Sequence, residues 1–111
     1  MGYKKLIATA TTRKGKKYVL MQGAGGFLVF GHESKMHTVC GVHSGQIAKD
    51  ADMLSFLAEK SWDCKKDAME CLHKSCVEPN TNMLDQIEDD IEMIRICEEF
   101  MQAILKNALV A

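Results

Sequence analysis

The sequence predicts an α+β domain in which an antiparallel β-meander of three to four strands, about residues 3–43, precedes two or three helices. Short β-branched and aromatic runs separated by glycines indicate the strands, and helical spacing follows them. The charge changes sign with the pattern: residues 1–35 hold seven cationic side chains and one anionic, and the rest hold seven cationic and fourteen anionic. At 111 residues the chain is predicted to be a single domain, 1–111, with a basic meander (1–43) and an acidic helical part (44–111).

The first half is typical of a meander because its strand-like runs are interrupted by turn-forming residues. Lys14 and Gly15 predict a tight hairpin turn with four cations at its tip. The GAGG stretch at 23–26 predicts a bulged turn. The predicted strands are LIATATT, KYVLMQ, FLVF and MHTVCGVH.

The second half has the spacing of helices. Ser44 or Asp50 can cap a helix that runs to about residue 60, and Ser61 predicts a break or a new cap before a second segment. Pro79 and the polar residues around it end that segment and open a last helix. This helix is predicted over about residues 82–107, and at 1.5 Å per residue it is as long as a compact domain of this size or longer.

The last helix carries a broad apolar stripe that we interpret as an oligomer interface. Ile96 and Phe100 are displaced around the helix from the line of its other apolar residues, so the apolar surface spreads beyond one seam. We expect part of it to meet a second copy in a homodimer. The alternative is that the helix packs entirely against its own sheet and middle helix. The predicted interface residues are Ile87, Ile91, Ile94, Met101 and Ile104.

The five cysteines cannot all pair within one chain, so we expect reduced thiols. Cys64 and Cys71 share a helix face with other apolar residues, and we interpret them as small core residues. A small zinc-binding domain is an alternative that needs Cys40, His43, Cys71 and Cys76 to converge. Cys71 and Cys76 lie about 140° apart around a helix, and strand alternation separates Cys40 from His43, so no metal is predicted.

The basic hairpin is the predicted contact for a partner. We expect it to meet a protein, and an acidic surface fits its charge. The alternative is a nucleic-acid-binding protein that uses residues 13–17, since β-ribbons enter grooves and cations bind phosphates. Exposed aromatics and a strong basic excess, which nucleic-acid binders usually have, are lacking. The predicted partner-binding residues are Lys4, Arg13, Lys14, Lys16 and Lys17.

Catalysis and cofactors are not predicted. A cysteine nucleophile needs a base beside it, and strand alternation turns Cys40 away from the nearby histidines. The QGAGGFLVFG stretch lacks both the last glycine of a dinucleotide fingerprint and the lysine of a P-loop. No apolar run approaches the ~20 residues that a membrane helix needs, so no membrane association and a cytoplasmic location are expected. The sequence thus predicts a small non-catalytic regulatory protein, of adaptor or inhibitor type, that acts by protein–protein interaction as a homodimer.

Overall fold

The computed structural model describes residues 3–33, 42–78 and 81–110. A four-strand antiparallel sheet is followed by two helices, the second of them long, which confirms the predicted α+β class. The elements are β1 (Tyr3–Thr11), β2 (Lys17–Gly23), β3 (Leu28–Glu33), β4 (Val42–Ala48), α1 (Asp50–Val77) and α2 (Thr81–Val110).

The strands pair in chain order, β1-β2-β3-β4, as expected of a meander. The predicted turn between β1 and β2 is present, and Gly15 adopts a φ of 86°, where a side chain would be strained. Thr12 closes the turn, since its carbonyl accepts from the Gly15 N–H at 2.9 Å. The GAGG stretch forms a short 3₁₀ turn, Ala24–Gly26, between β2 and β3.

The fourth strand extends further along the chain than the sequence predicts. β4 runs Val42–Ala48, so residues 44–48 are strand and not the start of a helix. Ser44 is therefore not a helix cap, and α1 begins at Asp50 after Lys49, which makes no side-chain capping hydrogen bond. The first part of the predicted MHTVCGVH strand lies outside the described residues.

The middle of the chain forms one helix, where the sequence analysis allowed two. Ser61 lies inside α1 and is buried. A serine inside a helix lowers the stability of the helix by only a few tenths of a kcal/mol relative to alanine, which is within the range of ordinary helix propensities. Packing against α2 therefore outweighs the local preference for a break.

The core lies between one face of the sheet and the two helices. Phe30 of β3 is at its centre, with ring centroids 5.7 Å from Phe100 of α2 and 5.8 Å from Phe56 of α1. On the other face of the sheet, Val29 is paired with Ile47, and Ile47 is exposed. The buried core residues are Leu20, Leu28, Phe30, Ala48, Met53, Leu57, Ile96, Cys97, Phe100 and Ile104.

The two helices pack side by side and give the molecule an elongated shape of 51 × 31 × 18 Å. Thirty residues of α2 span roughly 45 Å, which accounts for most of the long dimension. The buried positions of α2 lie between Asp90 and Ile104. Neither described helix has the long uncharged apolar stretch that crossing a bilayer requires.

Candidate functional site

The zinc site that the sequence leaves as an alternative has no centre among the described residues. Cys71 is half-buried and Cys76 is exposed on α1. In the part of the chain that the structure describes, no three His, Cys, Asp or Glu side chains are grouped so that they could hold a metal ion. Cys40 and the side chain of His43 lie outside it, so the zinc hypothesis is not tested at these two positions.

Three of the helix cysteines, Cys64, Cys71 and Cys97, have raised pKa values that favour the neutral thiol. Burial raises the pKa of Cys97 to about 11. Burial also raises the pKa of Cys64 and Cys71, and the carboxylates of Asp90 and Asp67 act in the same direction. Because the thiolate is the nucleophilic form, these positions are poorly suited to nucleophilic catalysis.

Arg13, in the turn between β1 and β2, is held by four carboxylates of α2. Its guanidinium donates to Asp85 Oδ1 at 3.0 Å, to Asp89 Oδ1 at 3.1 Å and to Glu88 Oε2 at 3.1 Å. Its backbone N–H donates to Glu92 Oε2 at 2.9 Å. These contacts fix the turn of the sheet against the first half of α2.

Lys14 binds two of the same carboxylates. Its Nζ donates to Asp85 Oδ2 at 2.7 Å and to Asp89 Oδ2 at 2.9 Å. These two hydrogen bonds raise the pKa of Lys14. The hydrogen bond between Lys14 and Asp85 also holds the pKa of Asp85 below its usual value. We call this set the tip–helix cluster: Arg13, Lys14, Asp85, Glu88, Asp89 and Glu92.

Arg13 and Lys14, which are among the cations predicted to bind a partner, therefore pair with carboxylates of the same chain. A nucleic acid or an acidic protein would have to compete with the α2 carboxylates for Arg13 and Lys14. Lys16 and Lys17 are exposed, and Lys16 Nζ lies 5.4 Å from the centroid of the neighbouring tyrosine ring. The side chain of Lys4 lies outside the described residues. Partner binding by these cations stays a prediction.

Substituting Arg13 with alanine is expected to lower the free energy of unfolding by about 1 to 2 kcal/mol, because several charge-assisted hydrogen bonds are lost together. Urea denaturation at low and high salt measures this, and the loss should shrink as salt screens the cluster. Arg95→Ala is the control, since the pair that Arg95 makes with Glu99 at 3.7 Å is exposed. Equal effects of the two substitutions would contradict a stabilising cluster.

A buried carboxyl lies where α1 and α2 meet. Asp90 is 6% exposed, and its Oδ1 accepts from Gln86 Nε2 at 3.3 Å. Its Oδ2 has no hydrogen-bond donor among the described residues. Burial, followed by the adjacent carboxyl of Asp67, raises the pKa of Asp90 to about 6. The two carboxyls can share a hydrogen bond only when one of them carries a proton.

A cleft of about 360 Å³ opens beside Asp90, between the hairpin turn of the sheet and the helices. Its lining includes Lys14 and Lys16 as well as Asp89 and Glu92. Because cations and carboxylates are mixed there, the cleft does not favour a ligand of either charge. We assign it no ligand.

The apolar residues of α2 fall into two groups on different sides of the helix. Ile96, Cys97, Phe100 and Ile104 are buried in the core. The second group lies mainly on the side away from the core residues, with spacings of three and four residues up to Ile94 and of eleven residues from there to Leu105. We call it the outer stripe, and it consists of the exposed Leu84, Ile91 and Leu105 and the half-buried Ile87 and Ile94.

The predicted oligomer residues divide between these two groups. Ile87, Ile91 and Ile94 lie on the outer stripe. Met101 is half-buried at the edge of the outer stripe and packs partly against the core. Ile104 is a buried core residue. Ile104 is therefore not accessible to a second molecule in this structure.

The interface residues predicted from the sequence do not include the two ends of the outer stripe. Leu84 and Leu105 lie seven residues before Ile91 and seven residues after Glu98, so they continue the same line along α2. The heptad spacing was the signal that could have identified them. It also separates this line from Phe100, which is on the core side.

The comparisons with known proteins give no relative. No protein-family model matches the chain, and no curated protein and no solved structure matches it significantly.

Proposed function

We propose that this protein is a small non-catalytic binding protein that acts by protein–protein interaction and forms a homodimer through the outer stripe of α2. The observation that carries the proposal is the second apolar side of this helix. Leu84, Ile91 and Leu105 are each more than half exposed and are not among the buried core residues. Apolar rows of this length on a surface are typical of sites that bind another protein.

The spacing of the stripe favours a helix as the group that covers it. The apolar residues recur every three and four residues from Leu84 to Ile94, and Leu105 continues the line beyond Glu98. Helices pack along seams of this spacing with interlocking side chains. A homodimer with two-fold symmetry uses the same seam on both copies. Full burial of a Leu or Ile side chain contributes about 1.5 to 3 kcal/mol, so several half-exposed ones give a substantial driving force.

A second protein partner is proposed for the basic end of the sheet, as expected of an adaptor or inhibitor. Lys16 and Lys17 are exposed there and would favour an acidic surface. We also propose a cytoplasmic location. Its support is that the four described cysteines are free thiols, as in a reducing compartment.

The dimer is tested with one substitution at two matched positions. Ile91 on α2 is 57% exposed and Ile47 on β4 is 60% exposed, so Ile→Glu changes two equally accessible side chains on different faces. Ile91→Glu would place two carboxylates in the apolar seam of the dimer. We expect the dissociation constant of the dimer to rise by about 100-fold or more. Removing water from two carboxylates and bringing their like charges together costs several kcal/mol.

Light scattering over a concentration series measures the effect, and circular dichroism checks that both variants fold. Ile47→Glu should associate like the unmodified chain. If Ile91→Glu associates equally well, or if Ile47→Glu alone dissociates the dimer, the outer stripe is not the interface.

A further inference from the structure

Helix α1 has an exposed apolar stripe of its own. Trp62 and Met69 are seven residues apart, Leu72 follows after three, and Cys76 after four more. The first three are 62%, 58% and 50% exposed, and Cys76 is also exposed. The spacing is that of a helix-packing seam, with Lys65 at the remaining position of the repeat. None of these four side chains belongs to the core cluster.

An ion pair places this stripe on the same side of the molecule as the outer stripe of α2. Lys65 lies within the α1 stripe, and Glu98 lies between Ile91 and Leu105 in the α2 stripe. Lys65 Nζ is 3.5 Å from Glu98 Oε2. The two stripes therefore border each other and form one surface, opposite the side on which the helices pack against the sheet.

The combined surface is large enough for a stable interface. Half-exposed side chains of this size each leave on the order of 100 Å² open, since a large aromatic buries 150–250 Å² in full. The six side chains of the two stripes that are at least half exposed thus offer on the order of 600 Å², and the half-buried Ile87 and Ile94 add a smaller area. One partner of a standard protein–protein interface contributes about 800 Å².

The charges of the surface fit a second copy of the chain. Lys65 and Glu98 have opposite signs and pair with each other, so the middle of the surface has no net charge. Two copies related by a two-fold axis can then face each other without like-charge repulsion.

We infer that the α1 stripe is the second half of the dimer interface, so that two helix pairs form a four-helix bundle with a sheet on each outer side. The inference rests on the proposed homodimer and goes beyond it, since α2 alone could form a two-helix contact. In this bundle Trp62 is covered by the partner. Helices in such bundles cross at about 20°, which keeps both stripes in contact along their length.

Trp62 is the only tryptophan of the chain, so its fluorescence reports on the α1 stripe directly. We would measure its emission maximum and its quenching by acrylamide in the unmodified protein and in Ile91→Glu, with sedimentation run on the same samples. The expected result is a blue-shifted, several-fold less quenched Trp62 in the dimer than in the monomeric variant. Met69→Glu, checked for folding by circular dichroism, should weaken the dimer as Ile91→Glu does.

The outcomes separate the two proposals. A dimer in which Trp62 is quenched as strongly as in the monomer, or which Met69→Glu leaves intact, overturns the four-helix bundle and leaves the α2 dimer standing. A chain that is monomeric at every concentration overturns both.

Discussion

Replacing Phe100 with alanine is expected to lower the free energy of unfolding by about 3 to 5 kcal/mol, the usual range for a buried aromatic side chain. Phe100 is 1% exposed, and its ring contacts Phe30 edge to face with centroids 5.7 Å apart. Removing it opens a cavity where the sheet meets α2, and the aromatic contact is lost with it. Chemical denaturation followed by circular dichroism measures the change.

The control is the same substitution at Phe27, which is 43% exposed. Its ring lies 4.4 Å from Lys49 Nζ, a cation–π contact worth about 0.5 to 1 kcal/mol at an exposed site. Phe27→Ala should therefore cost far less than Phe100→Ala. Similar costs at the two positions would show that the core is not centred between the sheet and α2.

Replacing Asp90 with asparagine is expected to stabilise the protein at pH 7. The pKa of Asp90 is about 6 in the folded protein, against 3.8 for an ordinary aspartate. Folding therefore favours the protonated form, and the stability that Asp90 contributes is lost as the pH rises from about 4 through 6. A shift of this size corresponds to at most about 3 kcal/mol, and since the adjacent cleft admits water, about 1 to 2 kcal/mol is expected.

Asparagine removes this pH dependence because its amide stays neutral and can donate to the Asp67 carboxylate. The unfolding free energies of the two proteins should agree most closely near pH 4 and diverge up to pH 7. Asp63→Asn, which changes an exposed carboxylate of α1, serves as the control and should show no such divergence. If the Asp90→Asn variant is less stable than the unmodified protein at pH 7, the buried charge of Asp90 does not destabilise the fold.

The order of elements could be predicted because local and global signals agree along most of the chain. β-Branched runs between glycines form β1 to β3, and the long apolar period forms α2. The exceptions have physical causes. β4 includes residues 44–48 because pairing with β3 provides hydrogen-bond partners for the backbone of this strand. Ser61 stays helical because it is buried against neighbouring residues.

The candidate site could be predicted only in part, because a helical repeat does not show which side faces the protein's own sheet. Ile91 and Ile104 belong to similar repeats, yet one is exposed and the other is in the core. The pairing of Arg13 with α2 depends on contacts between residues more than 70 positions apart, which local patterns do not report. The burial of Asp90 likewise depends on the contact between α1 and α2.

The α1 stripe is difficult to recognise in the sequence for a different reason. Cys64 and Cys71 indicate a core-facing row on this helix, and Trp62, Met69 and Leu72 follow a helical spacing on another side of it. Their positions in the repeat are visible in the sequence. Only the contact between Lys65 and Glu98 shows that this stripe and that of α2 lie on one side.

The central claim is that the outer side of the helix pair is covered by a second copy of the chain. Sedimentation equilibrium of the unmodified protein, from nanomolar to micromolar concentration, tests it most directly. The account predicts a molar mass of twice 12.4 kDa at the upper end, falling toward 12.4 kDa only on dilution. A constant mass of 12.4 kDa over the whole range would contradict it.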